Sequence, residues 1–281
     1  MEDARAVNLQ GKSIAITGAS SGIGAATAIA CAHAGMDVAV CARRADKLEE
    51  VAQAIRAAGR RAVVMAVDVR DPQACRRFVE ESVRAFGGLY AVYANAGYGA
   101  EAPAADMPEA DVREMFEVNF FGSLNVIRPA VEHMRSRAAA SGGPRGHVLW
   151  CSSCVAKMAL PYYSVYSATK AAQNHLGRGM RLELAPEGIE VSTVHPIGTR
   201  TEFFGIVKSR SGGELIAHSP GWFMQTADTV ADYTVACLRR PRPEVWTGPK
   251  GWLVRLGMSV NTLLPRLADL TLRPLAAKRQ K

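Results

Sequence analysis

Cysteine is scarce in this chain, with six in 281 residues. There is one C-x-x-C, Cys151 to Cys154, and no neighbouring Cys/His set. This excludes a secreted disulfide scaffold and a zinc ribbon, and no metal site is expected. Long apolar runs are missing as well. The most apolar stretch, Ala25 to Ala42, is broken by His33, Gly35 and Asp37, short of the ~20 continuous apolar residues a membrane span needs. The opening residues, MEDARAVNLQGKS, carry acids and no apolar centre, so a secretory signal is not expected and a cytoplasmic location is. Acidic residues are outnumbered by basic ones, 26 to 34, for a net charge of +8. No recognition motif accompanies that charge, part of which sits in RRPR (239 to 242) and the terminal KRQK. Nucleic-acid binding is therefore not expected, and attraction of anionic small molecules explains the charge more simply.

What is present is rhythm. Apolar, β-branched runs alternate with segments of helical period: KSIAITG then GIGAATAIACAHAG, DVAVCA then ADKLEEVAQAIRAAG, RAVVMAVDV then DPQACRRFVEESVRAFG. LYAVYANAG, a helical region from about 108 to 137, GHVLWCSS, a helix from about 163 to 184 and IEVSTVHP follow. Strands without polar alternation belong in a sheet covered on both faces, so the fold class is α/β with a doubly wound parallel sheet. No repeat or linker divides the chain. One domain over 1–281 is expected, with a core of about 10–248 and a C-terminal helical extension of about 249–281. The segment from Pro196 to about Gln225 reads as a loop. It is the natural place for substrate specificity, because ligands in such sheets bind outside the strands' carboxyl ends.

The first strand runs into Thr17, Gly18, Ala19, Ser20, Ser21, Gly22, Ile23 and Gly24. Glycines 18, 22 and 24 allow a tight turn and close approach to a pyrophosphate, which then meets a helix N-terminus. Such a turn alone is also what any tight connection requires. About twenty residues on, an NAD-specific site would place a carboxylate, but the second strand ends in Cys41, Ala42, Arg43 and Arg44. Arginine pairs with a 2′-phosphate, so NADP(H) is the preferred cofactor, with NAD(H) second. Asp68, beside Val69 at the end of the third strand, is a candidate acceptor for the adenine amino group. Asn95, Ala96 and Gly97 end the fourth strand beside the same crevice.

Tyr166 and Lys170 stand four residues apart in a helical segment and share one face. A neighbouring ammonium favours phenolate, so Tyr166 is expected to have a lowered pKa and to act as an acid/base on a carbonyl oxygen. A Y-x-x-x-K pair alone also arises on solvated helices.

Together these motifs resemble the short-chain dehydrogenase/reductase family, in its compact single-domain branch. The resemblance rests on TGASSGIG, on NAG at 95 to 97, and on Asn119 in VNFFG. It also rests on Ser153 ahead of Tyr166, YSATK at 166 to 170, and Pro196 with Thr201. The resemblance implies a Rossmann fold with three αβα layers. Tyr166 would be the proton donor and Ser153 the partner of the substrate oxygen. Lys170 would hold the nicotinamide ribose, and Asn119 would position a water behind Lys170. Pro196, Ile197, Gly198, Thr199 and Thr201 would lie along the nicotinamide end. The family's usual Pro-Gly is here Pro196-Ile197, with Gly198 one place later. A homodimer or homotetramer is the family expectation, with the helices of Asn119 and Tyr166 at the contacts.

Cys151 and Cys154 are not read as a redox pair. Positions i and i+3 of an extended segment face opposite ways, and a low-pKa C-x-x-C would open a helix. His195 reads as structural. Tyr98, Cys154, Tyr163, Ile197, Phe203 and Phe204, with Ser153 and Tyr166, are the candidate substrate contacts. Their apolar character points to a hydrophobic ketone or aldehyde: a lipid, steroid or aromatic carbonyl. Rival readings are a reductase of carrier-bound 3-oxoacyl groups and a non-catalytic dinucleotide-binding regulator. In the extension, Leu256, Val260, Leu263, Leu267 and Leu270 form an apolar stripe flanked by basic residues. It is expected to pack on its own domain or on another subunit, with peripheral membrane contact as the less favoured reading.

Overall fold

The computed structural model describes residues 6–137, 143–211 and 221–277. Among them, seven strands form one parallel sheet: β1 (Ser13–Thr17), β2 (Asp37–Ala42), β3 (Ala62–Ala66), β4 (Ala91–Ala94), β5 (Gly146–Cys151), β6 (Ile189–His195) and β9 (Glu244–Trp246). Their order is β3-β2-β1-β4-β5-β6-β9. A short second pair joins β7 (Thr199–Arg200) to β8 (Gln225–Thr226).

Alternate residues of each strand feed opposite layers, as the pleat demands. Ile14 and Ile16 of β1 pack with Val38 and Val40 under α1 (Gly22–His33), α2 (Ala45–Ala57) and α8 (Ala227–Arg239). Ala15 and Val92 face the other way, toward α3 (Pro72–Phe86), α5 (Gly122–Ser136) and α6 (Ser164–Leu184). Both faces are covered, which is why all five residues of β1 are buried.

Local chemistry sets the element ends. Asp71 caps α3, its carboxylate accepting from Gln73 N at 2.8 Å and Ala74 N at 3.0 Å, with Pro72 at the first turn and left-handed Gly87 at the end. Such a cap contributes about 1 kcal/mol. Asp37, its side chain 3% exposed, anchors the start of β2 between Arg60 at 2.8 Å and Arg61 at 2.6 Å.

The helical region expected from about 108 to 137 is present, as α4 (Glu109–Phe116) and α5 joined by a π turn, Glu117–Phe121, which carries Asn119. Three expectations need correction. The segment read as a loop after Pro196 contains the β7 strand and a helix, α7 (Phe203–Arg210), while 212–220 lie outside the described residues. Asp68 lies two residues past β3, where Arg70 takes its carboxylate at 2.6 Å. The extension is helical, as α9 (Gly251–Leu263) and α10 (Pro265–Ala277), but its apolar stripe does not pack on the chain's own body. Leu256, Val260, Leu263, Leu267 and Leu270 are all exposed. The tail helix breaks at Leu264, and Pro265 opens α10, where a first-turn proline gives up no helical hydrogen bond. No helix among the described residues is long and apolar enough to cross a membrane.

Candidate active site

Strand order reverses around β1 and β4, and the cleft opens at the carboxyl ends there, where a doubly wound sheet leaves room for a ligand. It encloses about 440 Å³, within the small-molecule range. Every cofactor candidate from the sequence except Gly24 lines it: Gly18, Ser20, Ser21, Gly22, Ile23, Arg43, Arg44, Asp68, Val69, Asn95, Ala96, Gly97, Tyr166, Lys170, Pro196, Ile197, Gly198, Thr199 and Thr201. Gly24 lies beneath, where a Cβ would collide with the Gly18 carbonyl.

The turn between β1 and α1 fits a dinucleotide pyrophosphate. Gly18 and Gly22 hold φ of +64 and +56, which only glycine adopts without strain. A Cβ on Gly18 would stand 2.7 Å from Ala96 Cα, and one on Gly22 would press on Thr201 at 3.1 Å. Asn95 ties the turn to β4, donating from Nδ2 to the Thr17 carbonyl at 3.0 Å and to the Gly18 carbonyl at 3.1 Å. At the adenosine end, Arg44 donates from Nη2 to Ser21 Oγ at 2.8 Å and to Ser20 Oγ at 3.1 Å. The same nitrogen meets Glu202 Oε2 at 2.9 Å, an acid the sequence reading did not single out.

At the other end, Tyr166 and Lys170 project from α6 into the cleft beside Ser153. α6 lies close to the sheet because Gly177 faces Thr193 and Trp150, where a Cβ would stand 2.6 Å from Thr193 Cγ2. Tyr162, at φ +66, is the sole non-glycine in the left-handed region among the described residues, in the turn that leads into α6. Ser153, at the start of the turn that precedes α6, lines the cleft with Tyr166 and favours ionisation of its hydroxyl. Burial nonetheless pushes the Tyr166 pKa up, with Cys151 adding to the rise and Ser153 opposing it. The lowering expected from Lys170 is therefore corrected: the ammonium lies 5.7 Å from the ring centroid, and desolvation outweighs it. Burial also lowers the pKa of Lys170.

Lys170 Nζ donates to the Cys151 carbonyl at 2.8 Å and to Gln173 Oε1 at 3.1 Å. Gln173 Nε2 in turn donates to the Asn119 carbonyl, which also accepts from Ser123 Oγ at 2.7 Å. Both lone pairs of that carbonyl are engaged by protein donors. The Gln173 amide thus links the Lys170 ammonium to the Asn119 carbonyl. Asn119 does not line the cleft. Its side chain is spent on Tyr98, accepting from N at 3.0 Å and donating to O at 2.9 Å, and on Thr169 Oγ1 at 3.0 Å.

Tyr98, Ser153, Cys154, Tyr163, Ile197, Phe203 and Phe204 all line the substrate end with Tyr166. Phe203 packs on Tyr166 with centroids 5.5 Å apart. Sequence reasoning missed a polar corner there: Tyr98 donates to Glu114 Oε2 at 3.1 Å, Arg210 reaches the same oxygen at 2.8 Å, and its guanidinium lies 4.1 Å over the Tyr98 ring. These partners are 96 and 112 residues apart, and no local pattern relates them. Cys151 and Cys154 are free and buried, and burial pushes the Cys154 thiol up to about 11, the reverse of a reactive pair. His195 is buried, its Nδ1 3.0 Å from the Ser153 carbonyl and its ring stacked on Trp246 at 4.6 Å. It holds the strand end that presents Ser153.

A short chain dehydrogenase family model matches residues 12–211. An uncharacterized oxidoreductase of Listeria innocua is 30% identical over 237 residues, 84% of this chain and 93% of that protein. A short chain dehydrogenase of Burkholderia cenocepacia, solved in complex with NADP, superposes with a TM-score of 0.71 at 29% identity, covering 85% of this chain and 98% of that one. One from Mycobacterium paratuberculosis, bound to NAD, reaches 0.72 at 26%, covering 85% and 97%. With matches of this extent across the cleft's whole length, the chain belongs to the short-chain dehydrogenase/reductase family, oxidoreductases that act on CH–OH groups with a nicotinamide dinucleotide.

Proposed function

We propose that the protein is an NADP(H)-dependent oxidoreductase that interconverts a carbonyl and an alcohol, with Tyr166 as acid and base. The substrate is a hydrophobic ketone or aldehyde of lipid, steroid or aromatic type. The observation that carries this reading is that Tyr166, Ser153 and Lys170 line the apolar end of the same cleft whose other end is the Gly18–Gly22 turn.

When bound, the nicotinamide supplies or accepts hydride. The chain's residues handle the oxygen and the proton. Ser153 and Tyr166 both line this end of the cleft, and two hydroxyl donors there would stabilise the alkoxide that carbonyl reduction creates. Burial keeps Tyr166 protonated, so it is ready to give its proton to that oxygen. Lys170, fixed by Cys151 and Gln173, holds positive charge beside the phenol and borders the ribose position. Arg43 and Arg44, with Ser20, offer donors to a 2′-phosphate, which favours NADP(H) over NAD(H). Tyr163, Phe203, Phe204 and Ile197 exclude water and favour apolar substrates.

We also place the chain as one domain in the cytoplasm, where a reducing environment suits its free thiols, and as a homodimer or homotetramer. Phe121 on the π turn and Leu182 on α6 are 46% and 78% exposed, on the helices that would meet.

Titration of the purified protein with NADPH and NADH, repeated with Arg43→Ala, tests the cofactor. Tighter NADPH binding that the substitution abolishes supports the assignment, whereas equal affinities refute it. A carbonyl panel follows: hydrophobic ketones should be turned over and Tyr166→Phe should be inactive. A sugar preferred over every hydrophobic ketone would refute the substrate class.

A further inference from the structure

The extension presents an apolar surface on the outside of the molecule. Of the twelve large hydrophobic side chains exposed among the described residues, eight lie in α9, α10 or the residue between them. On α9, Val254 and Met258 face inward and pack with Cys154, Ile197 and Trp246. Trp252, Leu256, Val260 and Leu263 recur every three or four residues and so share the opposite face. Their exposures are 65%, 58%, 39% and 78%. A helix apolar on both faces with one face bare has an unmet partner.

Charge identifies that partner. Residues 249–281 carry seven Lys and Arg against a single acid, Asp269. Arg255, Arg266 and Arg273 are exposed along the same two helices. A second copy docked about a two-fold axis would bring the same patch to itself, placing two strongly positive surfaces together. An anionic lipid surface complements that charge, accepts the leucines, and suits a tryptophan at the headgroup level.

We propose that the outer face of α9 and α10 docks on an anionic membrane surface, lying in the interface and not crossing it. The inner face of the same helix packs on Cys154 and Ile197. The docked bilayer therefore lies about one helix diameter, ~10 Å, from the substrate end of the cleft.

Co-sedimentation of the full chain with phosphatidylcholine vesicles, with and without phosphatidylglycerol, tests this. Binding should require phosphatidylglycerol and fall with salt. Replacing Arg255, Arg266 and Arg273 together by Gln should weaken it by roughly a hundredfold. Leu256→Asp with Leu263→Asp should abolish it. Both residues are exposed, so the variants keep the fold, which cofactor binding verifies. Wild type left in the supernatant, or variants that pellet like wild type, would overturn the proposal. So would absent vesicle binding together with a smaller oligomer for the leucine variant by analytical ultracentrifugation, which would give the face to a second copy.

Discussion

Lys170 is held by Gln173, one turn on in the same helix, through a 3.1 Å hydrogen bond from Nζ to Oε1, and the other end of that amide grips the Asn119 carbonyl. The glutamine is fully buried. It converts the π turn of Asn119 into a support for the ammonium, linking two helices behind the candidate catalytic face. Replacing it should disturb catalysis without touching substrate. Gln173→Leu leaves a buried ammonium short of one acceptor and a carbonyl short of one donor, at about 1–3 kcal/mol each. A several-fold rise in the KM for the nicotinamide cofactor and a roughly tenfold fall in kcat are expected. Gln173→Glu restores the acceptor for Lys170 and should recover part of the loss. A purely structural role would lower the melting temperature and leave the kinetics of the folded enzyme unchanged.

Arg44 is shared between the cofactor end and Glu202. The pair is about half exposed on both sides, so it adds little stability, and a 2′-phosphate can displace the carboxylate. Glu202→Gln removes the competitor. NADPH should then bind severalfold more tightly, NADH should be unaffected, and the gain should shrink in high salt. Calorimetric titration at two ionic strengths checks this. An equal gain for both cofactors would mean that Glu202 acts on the shared part of the dinucleotide.

Tyr166 should remain a phenol in the cofactor-free protein well beyond neutral pH. Burial raises its pKa above the usual tyrosine value of about 10. Ultraviolet titration of wild type minus Tyr166→Phe should therefore show no ionisation step below pH 10. A step between pH 7 and 8 would show that Lys170 prevails over desolvation.

The sheet was legible because its inner strands β1, β2, β4 and β5 are buried on both faces and so read as unbroken apolar runs, while the half-exposed edge strand β3 is apolar all the same. The glycine turn was legible because positive φ and close backbone contact leave few other residues able to serve. The short α7 was not: FFGIVKSR lies among Gly, Ser and aromatics, and its N-cap residue Glu202 makes no side-chain cap. Nor were Gln173 and Glu202, whose partners Asn119 and Arg44 are 54 and 158 residues away. Tyr166 shows the same limit in electrostatics. A lysine four residues on is visible in sequence, whereas the desolvation that outweighs it is a property of the packed cleft. The tail's stripe was visible as spacing, but which face the body covers was not.

Two buried histidines set how stability responds to acid. Burial holds His195 down to about 4 and His147 down to about 3, from an ordinary 6.5. Below pH 6.5 the unfolded chain takes up these protons and the folded chain does not. Stability therefore falls as pH falls from about 6.5 toward 4, by roughly 1.4 kcal/mol per pH unit for each histidine once the unfolded imidazole is fully protonated. Above 6.5 both states are neutral at these rings and the contribution is flat. Urea unfolding at pH 7, 6 and 5 should show midpoints dropping with steepening slope, and His147→Asn should remove about half of the histidine-dependent loss. His147 lies in β5, its Nε2 2.8 Å from Ser192 Oγ, away from the cleft lining, so cofactor affinity at pH 7 should survive the substitution. A midpoint unchanged between pH 7 and 5 would mean that both rings accept protons in the folded state, with local opening of the sheet beside β6.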